Sequence, residues 1–249
     1  TGMFTARPPY VWISNQIGEN GILTGFEDTT GTTRPFHPNP AKWKPTNVTG
    51  APASTYALAL TDPTFKFPQI WRSSAAVDVR IPFGLVAGAE YIYSKDVNGI
   101  YYINANLPAP TGAFTGVDAR PRWTGSNSNR LNTNITNAVV LKNQNVGKQW
   151  NMSFTLERPF SNGLYIKGAY SYGEARNTVD PGSIASGTWQ NNAHSNDPNN
   201  PGIGFSGATQ KHRVFGTFSY HKDYFKFGGT TVSMFWERRI GGNSSYTFG

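Results

Sequence analysis

WNMSFTLERPFSNGLYIKGAYSY, residues 150–172, decides the fold. Before its centre the even positions are Trp150, Met152, Phe154 and Leu156, and the odd ones are Asn151, Ser153, Thr155 and Glu157. A period of two is the mark of a strand, because successive side chains leave opposite faces. In the middle, Pro cannot donate to a ladder and Gly accepts positive φ, so Pro159 to Gly163 reads as a tight reversal. The even face then resumes as Leu164, Ile166, Gly168, Tyr170 and Tyr172, opposite Tyr165, Lys167, Ala169 and Ser171. The segment is a hairpin with one greasy and one polar face. Its arms approach the roughly 9–11 residues that a tilted strand needs to cross a bilayer.

The plan recurs on either side. Trp71, Ala75, Val77, Val79 and Ile81 alternate with Arg72, Ser74, Asp78 and Arg80, and the return arm carries Leu85, Ala87, Ala89, Tyr91 and Tyr93. RIPFGL at 80–85 repeats the Pro-Phe-then-Gly reversal of 157–164. A third, less regular pair sets Val214, Gly216, Phe218 and Tyr220 against Val232, Met234 and Trp236, with a turn expected near Lys222-Asp223 and a bulge at Gly228-Gly229.

Short turns on one side and long links on the other are the asymmetry of outer-membrane barrels, which have tight periplasmic turns and extended extracellular loops. The expected organisation of 1–249 is therefore one fragment of a barrel domain: 1–68 mainly extracellular loop, 69–94 hairpin, 95–149 long loop, 150–174 hairpin, 175–211 long loop, 212–240 hairpin. The fold class is all-β, a portion of a large antiparallel transmembrane β-barrel with about six strands in three hairpins. Its lipid-facing and girdle residues are Trp71, Tyr91, Tyr93, Trp150, Met152, Phe154, Leu156, Tyr170, Tyr172, Tyr220 and Trp236.

The loops are rich in Asn, Gly, Pro, Ser and Thr and read as irregular and solvated, with Trp43, Trp123 and Trp189 as points of local packing. Tyr10–Ile13 reads as the tail of a preceding strand, and Tyr246-Thr247-Phe248 as an unfinished one. Six strands cannot close a membrane barrel, so chain is expected on both sides of this segment.

Composition fits this picture. Charged residues make up 14% of the chain, against about a quarter in an average protein, aromatics match them at 14%, and Gly (27) and Pro (17) abound. A mean hydropathy of -0.46 is no objection, since a barrel turns apolar side chains outward only at alternate positions. No stretch approaches the roughly 18 apolar residues of a spanning helix, and TGMFTARPPY lacks the parts of a signal peptide. The absence of Cys removes disulfides and thiolate chemistry. The net charge of +8 raises nucleic-acid binding, but the basic residues are scattered, with Lys211-His212-Arg213 and Arg238-Arg239 the densest groups. No nucleic-acid partner is expected.

Catalytic chemistry has no foothold in the pattern. Asp78, Glu90, Asp96, Asp118, Glu157 and Glu174 fall on different elements, and His37, His194, His212 and His221 show no ligand spacing. Neither an enzyme nor a metal or cofactor is expected. Arg120 and Arg122 beside Trp123, together with Trp189, are the candidate loop contacts for a ligand, since guanidinium forks grip anions and indoles stack; an internal brace is the competing role.

Particular strings add what periodicity cannot. FKFPQIWRSSAAVDVRIPFGLVAGAEYIYSKDVNGIYYINANL at 65–107 and VVLKNQNVGKQWNMSFTLERPFSNGLYIKGAYSYGEA at 139–175 resemble the late barrel region of TonB-dependent receptors of the Oar-like type. TARPPYVWISN at 5–15, Asp118 with Arg120 and Arg122-Trp123, and KHRVFGTFSY at 211–220 extend the resemblance. It implies a barrel of about 22 strands with a plugged lumen. It also implies a place in the bacterial outer membrane and import of a small solute or peptide using energy relayed by the TonB complex through a plug domain. No such plug, nor any leading domain, is recognisable within 1–249. Outer-membrane lipid is the remaining expected partner. The rivals are a passive porin-like channel, adhesin or structural outer-membrane scaffold on the same barrel, and a secreted soluble β-protein whose even faces form a core.

Overall fold

A computed structural model describes residues 1–6, 19, 35–39, 42, 55–123, 130–182, 184–192, 194 and 196–243. Tyr10–Ile13, Trp43 and Tyr246-Thr247-Phe248 lie outside the described residues. In chain order the elements are β1 (Gly2–Thr5), β2 (Tyr56–Thr61), β3 (Gln69–Ile81), β4 (Leu85–Asp96), β5 (Gly99–Asn104), β6 (Gly112–Ala113), β7 (Pro121–Arg122), β8 (Ile135–Gln144), β9 (Lys148–Ser161), β10 (Leu164–Asn177), α1 (Ala185–Gln190), β11 (Gly204–Phe205), β12 (His212–Phe225) and β13 (Gly228–Arg239). The long strands form one antiparallel wall in the order β1-β3-β4-β9-β10-β12-β13, with β11 on the end of β10.

The reversals follow from local chemistry. Asn162 (φ 51°) and Gly163 (φ 78°) form a two-residue turn between Ser161 and Leu164, the double positive-φ geometry that Asn-Gly adopts most readily. Gly163 is needed twice over, because a Cβ there would lie 2.1 Å from the His221 carbonyl oxygen. Pro82–Gly84 make a short 3-10 turn in which Phe83 takes φ 66° and is 89% exposed. The third turn is not at Lys222-Asp223: β12 runs on to Phe225 and reverses at Lys226-Phe227. The irregularity expected at Gly228-Gly229 is there: Asp223 faces Gly229 and Phe225 faces Gly228, so Tyr224 of β12 is the extra residue opposite the two glycines.

Register sorts the side chains into two faces. Val77, Ala89, Phe154, Tyr170 and Val214 stand in one row across five strands, and Ala75, Tyr91, Met152, Tyr172 and His212 in the next. All the residues expected on the lipid side share this face, where Phe154 is 48% exposed and Leu156 46%. Near its upper edge aromatic rings touch from strand to strand: Trp71 and Tyr93 (centroids 6.1 Å apart), Tyr91 and Trp150 (6.5 Å), Trp150 and Tyr172 (5.3 Å), Tyr172 and His212 (4.7 Å). At the turn end Phe225 and Phe227 stack with centroids 5.6 Å apart and Phe83 is exposed, while Phe160 stacks on Tyr165 of the other face (6.4 Å) where the β9–β10 ladder slips. Phe160 lies ten steps along β9 from Trp150. At about 3.3 Å per residue and a tilt near 40°, that is roughly 25 Å of height, the apolar band of an outer-membrane barrel.

The long links are not irregular throughout, contrary to expectation. β2, β8 and β5 form a second sheet, with β2 parallel to β8 and β5 antiparallel to it. It grows out of the wall: Lys95 faces Lys148, and four residues further on Gly99 faces Gln144 in unbroken register. The face that continues the wall's polar side turns apolar above the junction. Tyr102, Val139 and Leu141 pack there with Ala59, Val179 and Ala185, and Trp189 of α1 covers them. This small core, with Val139 at 0% exposure and Leu141 at 1%, orders the region above the wall. Asparagine side chains replace missing ladder partners. Asn106 Nδ2 donates to the Ile135 and Asn132 carbonyls (2.5 and 3.0 Å), and Asn199 Oδ1 accepts from the Asn104 backbone N–H (2.7 Å).

Candidate functional site

The wall face opposite the girdle is polar. Glu157 and Lys167 face each other on β9 and β10 with a 3.0 Å ion pair, Arg213 Nε bonds Glu237 Oε1 across β12 and β13 (2.8 Å), and Arg72 Nε donates to Ser94 Oγ (3.0 Å). Asp78 and Thr155 flank Gly88 so closely that a Cβ there would meet their oxygens at 2.5 and 2.6 Å. Charges at this density are tolerated at membrane depth only where they line a watered interior. Phe215 and Phe235, with centroids 6.2 Å apart, are apolar exceptions on this face that alternation alone did not single out.

Two faces of opposite character, short turns at one end and an apolar height near 25 Å describe a membrane wall. A family model described as outer membrane beta barrel domain matches residues 2–241. The chain belongs to that family. No curated protein and no solved structure matches it. As an outer membrane beta barrel domain it resides in the bacterial outer membrane. No helix among the described residues is long and apolar enough to cross a membrane; the strands do so.

Above its wall this barrel domain carries a cavity of about 430 Å3, lined among others by Asn177, Thr178, Asp180, Asn191, Asn192 and His194. The lining is mixed: Asn and Thr side chains alternate with glycine backbone, and Val179, Pro201, Ile203 and Phe205 are apolar. Asp180 holds one side together: Asn177 Nδ2 and Ser206 Oγ donate to Oδ1 (2.6 and 2.8 Å) and the Gly207 N–H to Oδ2 (2.6 Å). Burial pushes the Asp180 carboxyl up, and these three donors together outweigh it, leaving the group below its ordinary value. Asn192 Nδ2 donates to the Thr178 carbonyl (2.9 Å), closing another side. Such a site offers hydrogen bonds to a polar, compact solute. Among the described residues no group of three or more His, Cys, Asp or Glu could hold a metal ion.

The four candidate loop residues do not converge. Arg120 grips Asp118 with both ends of its fork (Nε to Oδ1 2.8 Å, Nη2 to Oδ2 2.7 Å), and these bonds hold the Asp118 carboxyl below its usual range. The Arg122 guanidinium stands 5.5 Å over Phe114 in the small β6–β7 hairpin. Trp123 Nε1 donates to the Pro108 carbonyl (2.9 Å) and Trp189 Nε1 to Asn199 Oδ1 (3.1 Å). Each serves as an internal brace in this conformation. The cavity side chains were missed because single Asn and Thr residues in polar loops carry no spacing signal.

Proposed function

We propose that the chain supplies wall strands and solute-facing extracellular loops to a TonB-dependent receptor that imports a small solute or peptide. What supports this is the packed layer above the wall. A passive pore needs little more than a polar lumen, whereas β2, β5, β8 and α1 build a core of their own beside a cavity of mixed polar and apolar lining. Preordered loops reduce the entropy lost on capturing a dilute ligand. The strings at 65–107 and 139–175 point the same way by resemblance.

The test separates energised import from its rivals. The purified full-length protein in a planar bilayer is expected to pass no steady ionic current, and solute uptake by cells is expected to stop when the proton-motive force is collapsed. A stable open conductance, with uptake that survives an uncoupler, would make it a porin-like channel. Uptake unchanged by deletion of the gene would leave an adhesin or scaffold.

A further inference from the structure

We propose that the outward face at the top of β4 and β9 binds a phosphorylated glycolipid of the outer leaflet, with the phosphate on Lys95 and Lys148 and the acyl chains in an apolar depression beneath. Lys95 lies directly opposite Lys148, and Lys148 directly opposite Arg176, so three adjacent strands present cations in one row. Like charges facing each other across a ladder are destabilising. Arg176 is relieved by its ion pair with Glu174 and by the Phe205 ring 4.4 Å away. Both lysines are exposed, and among the described residues neither has an ion pair or hydrogen bond. An anion from outside the chain would remove their repulsion.

The position says which anion. The row lies one same-face step beyond Tyr93 and Trp150, at the long-loop end of the wall. Aromatic belts mark the level of the lipid headgroups, so the lysines stand at phosphate height. Four residues down β4 from Lys95 begins a shallow, open depression of about 430 Å3, lined by Ala75, Val77, Ala89, Tyr91, Met152 and Phe154 together with Ala76 and Glu90. It exists because Ala75 and Ala89 are small where their row neighbours Met152 and Phe154 are large. The separation is about 13 Å along the strand, the span from a headgroup into its chains. A zwitterionic phospholipid carries its own ammonium, which would compete with the lysines for the phosphate. A phosphorylated sugar headgroup does not.

The probe is bisphosphorylated lipid A added to the full-length protein in detergent, with binding followed by native mass spectrometry. Lys95→Gln with Lys148→Gln is expected to weaken binding about tenfold, since charge-assisted contacts are lost. Fully dephosphorylated lipid A should bind both proteins alike, and Lys148→Arg should retain tight binding. Ala89→Leu, which fills the hollow and leaves the cations in place, should weaken lipid A as well. Equal affinity of the wild-type and double-glutamine proteins would overturn the proposal, as would a loss shared by Lys148→Arg. Displacement of lipid A by inorganic phosphate at a similar concentration would also overturn it, in favour of a soluble-anion site.

Discussion

Replacing Phe154 by Arg puts a charge where the wall meets the middle of the bilayer. Phe154 is four residues along β9 from Trp150 in the upper girdle and six from Phe160 at the turn end. With about 3.3 Å per residue and a tilt near 40°, it lies roughly 10 Å below one boundary and 15 Å above the other, within a few Å of the midplane. An Arg at that depth on the lipid face costs about 2–4 kcal/mol, or roughly 30- to 900-fold in the folding equilibrium. The neighbouring Ser153 faces Glu90 on β4 and Ser171 on β10, on the polar side. Ser153→Arg gains a carboxylate neighbour there and should change stability by less than about 1 kcal/mol. Refolding of the full-length protein into phosphatidylcholine vesicles, titrated with guanidinium and followed by tryptophan emission, measures both. Similar losses for the two variants would refute the assignment of faces, and so would a neutral Phe154→Arg.

Other expectations are more local. Gly163→Ala, with φ at 78° and its new Cβ against the His221 carbonyl, should destabilise by about 1–3 kcal/mol in the same titration, whereas Asn162→Gly should stay within about 0.5 kcal/mol. Leu141→Ala, at a 1%-exposed position of the upper core, should cost about 2–5 kcal/mol there. Hydrogen exchange should then quicken in β2, β5 and β8 but not in β9 and β10; uniform quickening would mean that the two layers unfold together. The Asp62 carboxyl accepts from the Thr64 hydroxyl and N–H (2.6 and 2.9 Å) and pairs with Lys142 (3.1 Å), which lowers its pKa from 3.8 to about 2. Because the folded value is the lower one, its stabilisation is complete above the ordinary carboxylate range and is lost as pH falls from about 4 through about 2. Acid titration of exchange in β2 and β8 should show this loss in the wild type and not in Asp62→Asn; coincident curves would remove the group from the account.

The wall was legible because its physics is repetitive. Each arm of 150–172 states the same alternation, and the Asn162-Gly163 turn together with the ladder slip between Leu164 and Ile166 sets even positions opposite even ones, where a register one residue away would have flipped every side chain. The third hairpin was misplaced at its turn because the slip at Asp223–Phe225 lets the strand continue where the alternation breaks. The upper sheet was not legible. Ala138-Val139-Val140-Leu141 is a short continuous apolar run, ambiguous between strand and helix, and its partner β2 lies more than seventy residues earlier in the chain. Asn104, Asn106 and Asn199 looked like solvated loop because asparagine is used equally in coil and in pegging a backbone. The cation row was hidden for a different reason: Lys95, Lys148 and Arg176 are scattered singly in sequence and meet only through register.

The parallel pairing of β2 with β8 sets an order of assembly. Between them the chain runs down β3, turns at Pro82–Gly84 and climbs β4 before β5, so the pair closes a loop that holds a whole hairpin of the wall. Loop-closure cost makes such distant pairing a late event. Once formed, the upper sheet works as a latch: moving β3, β4 and β9 toward the periplasm would require parting a buried core.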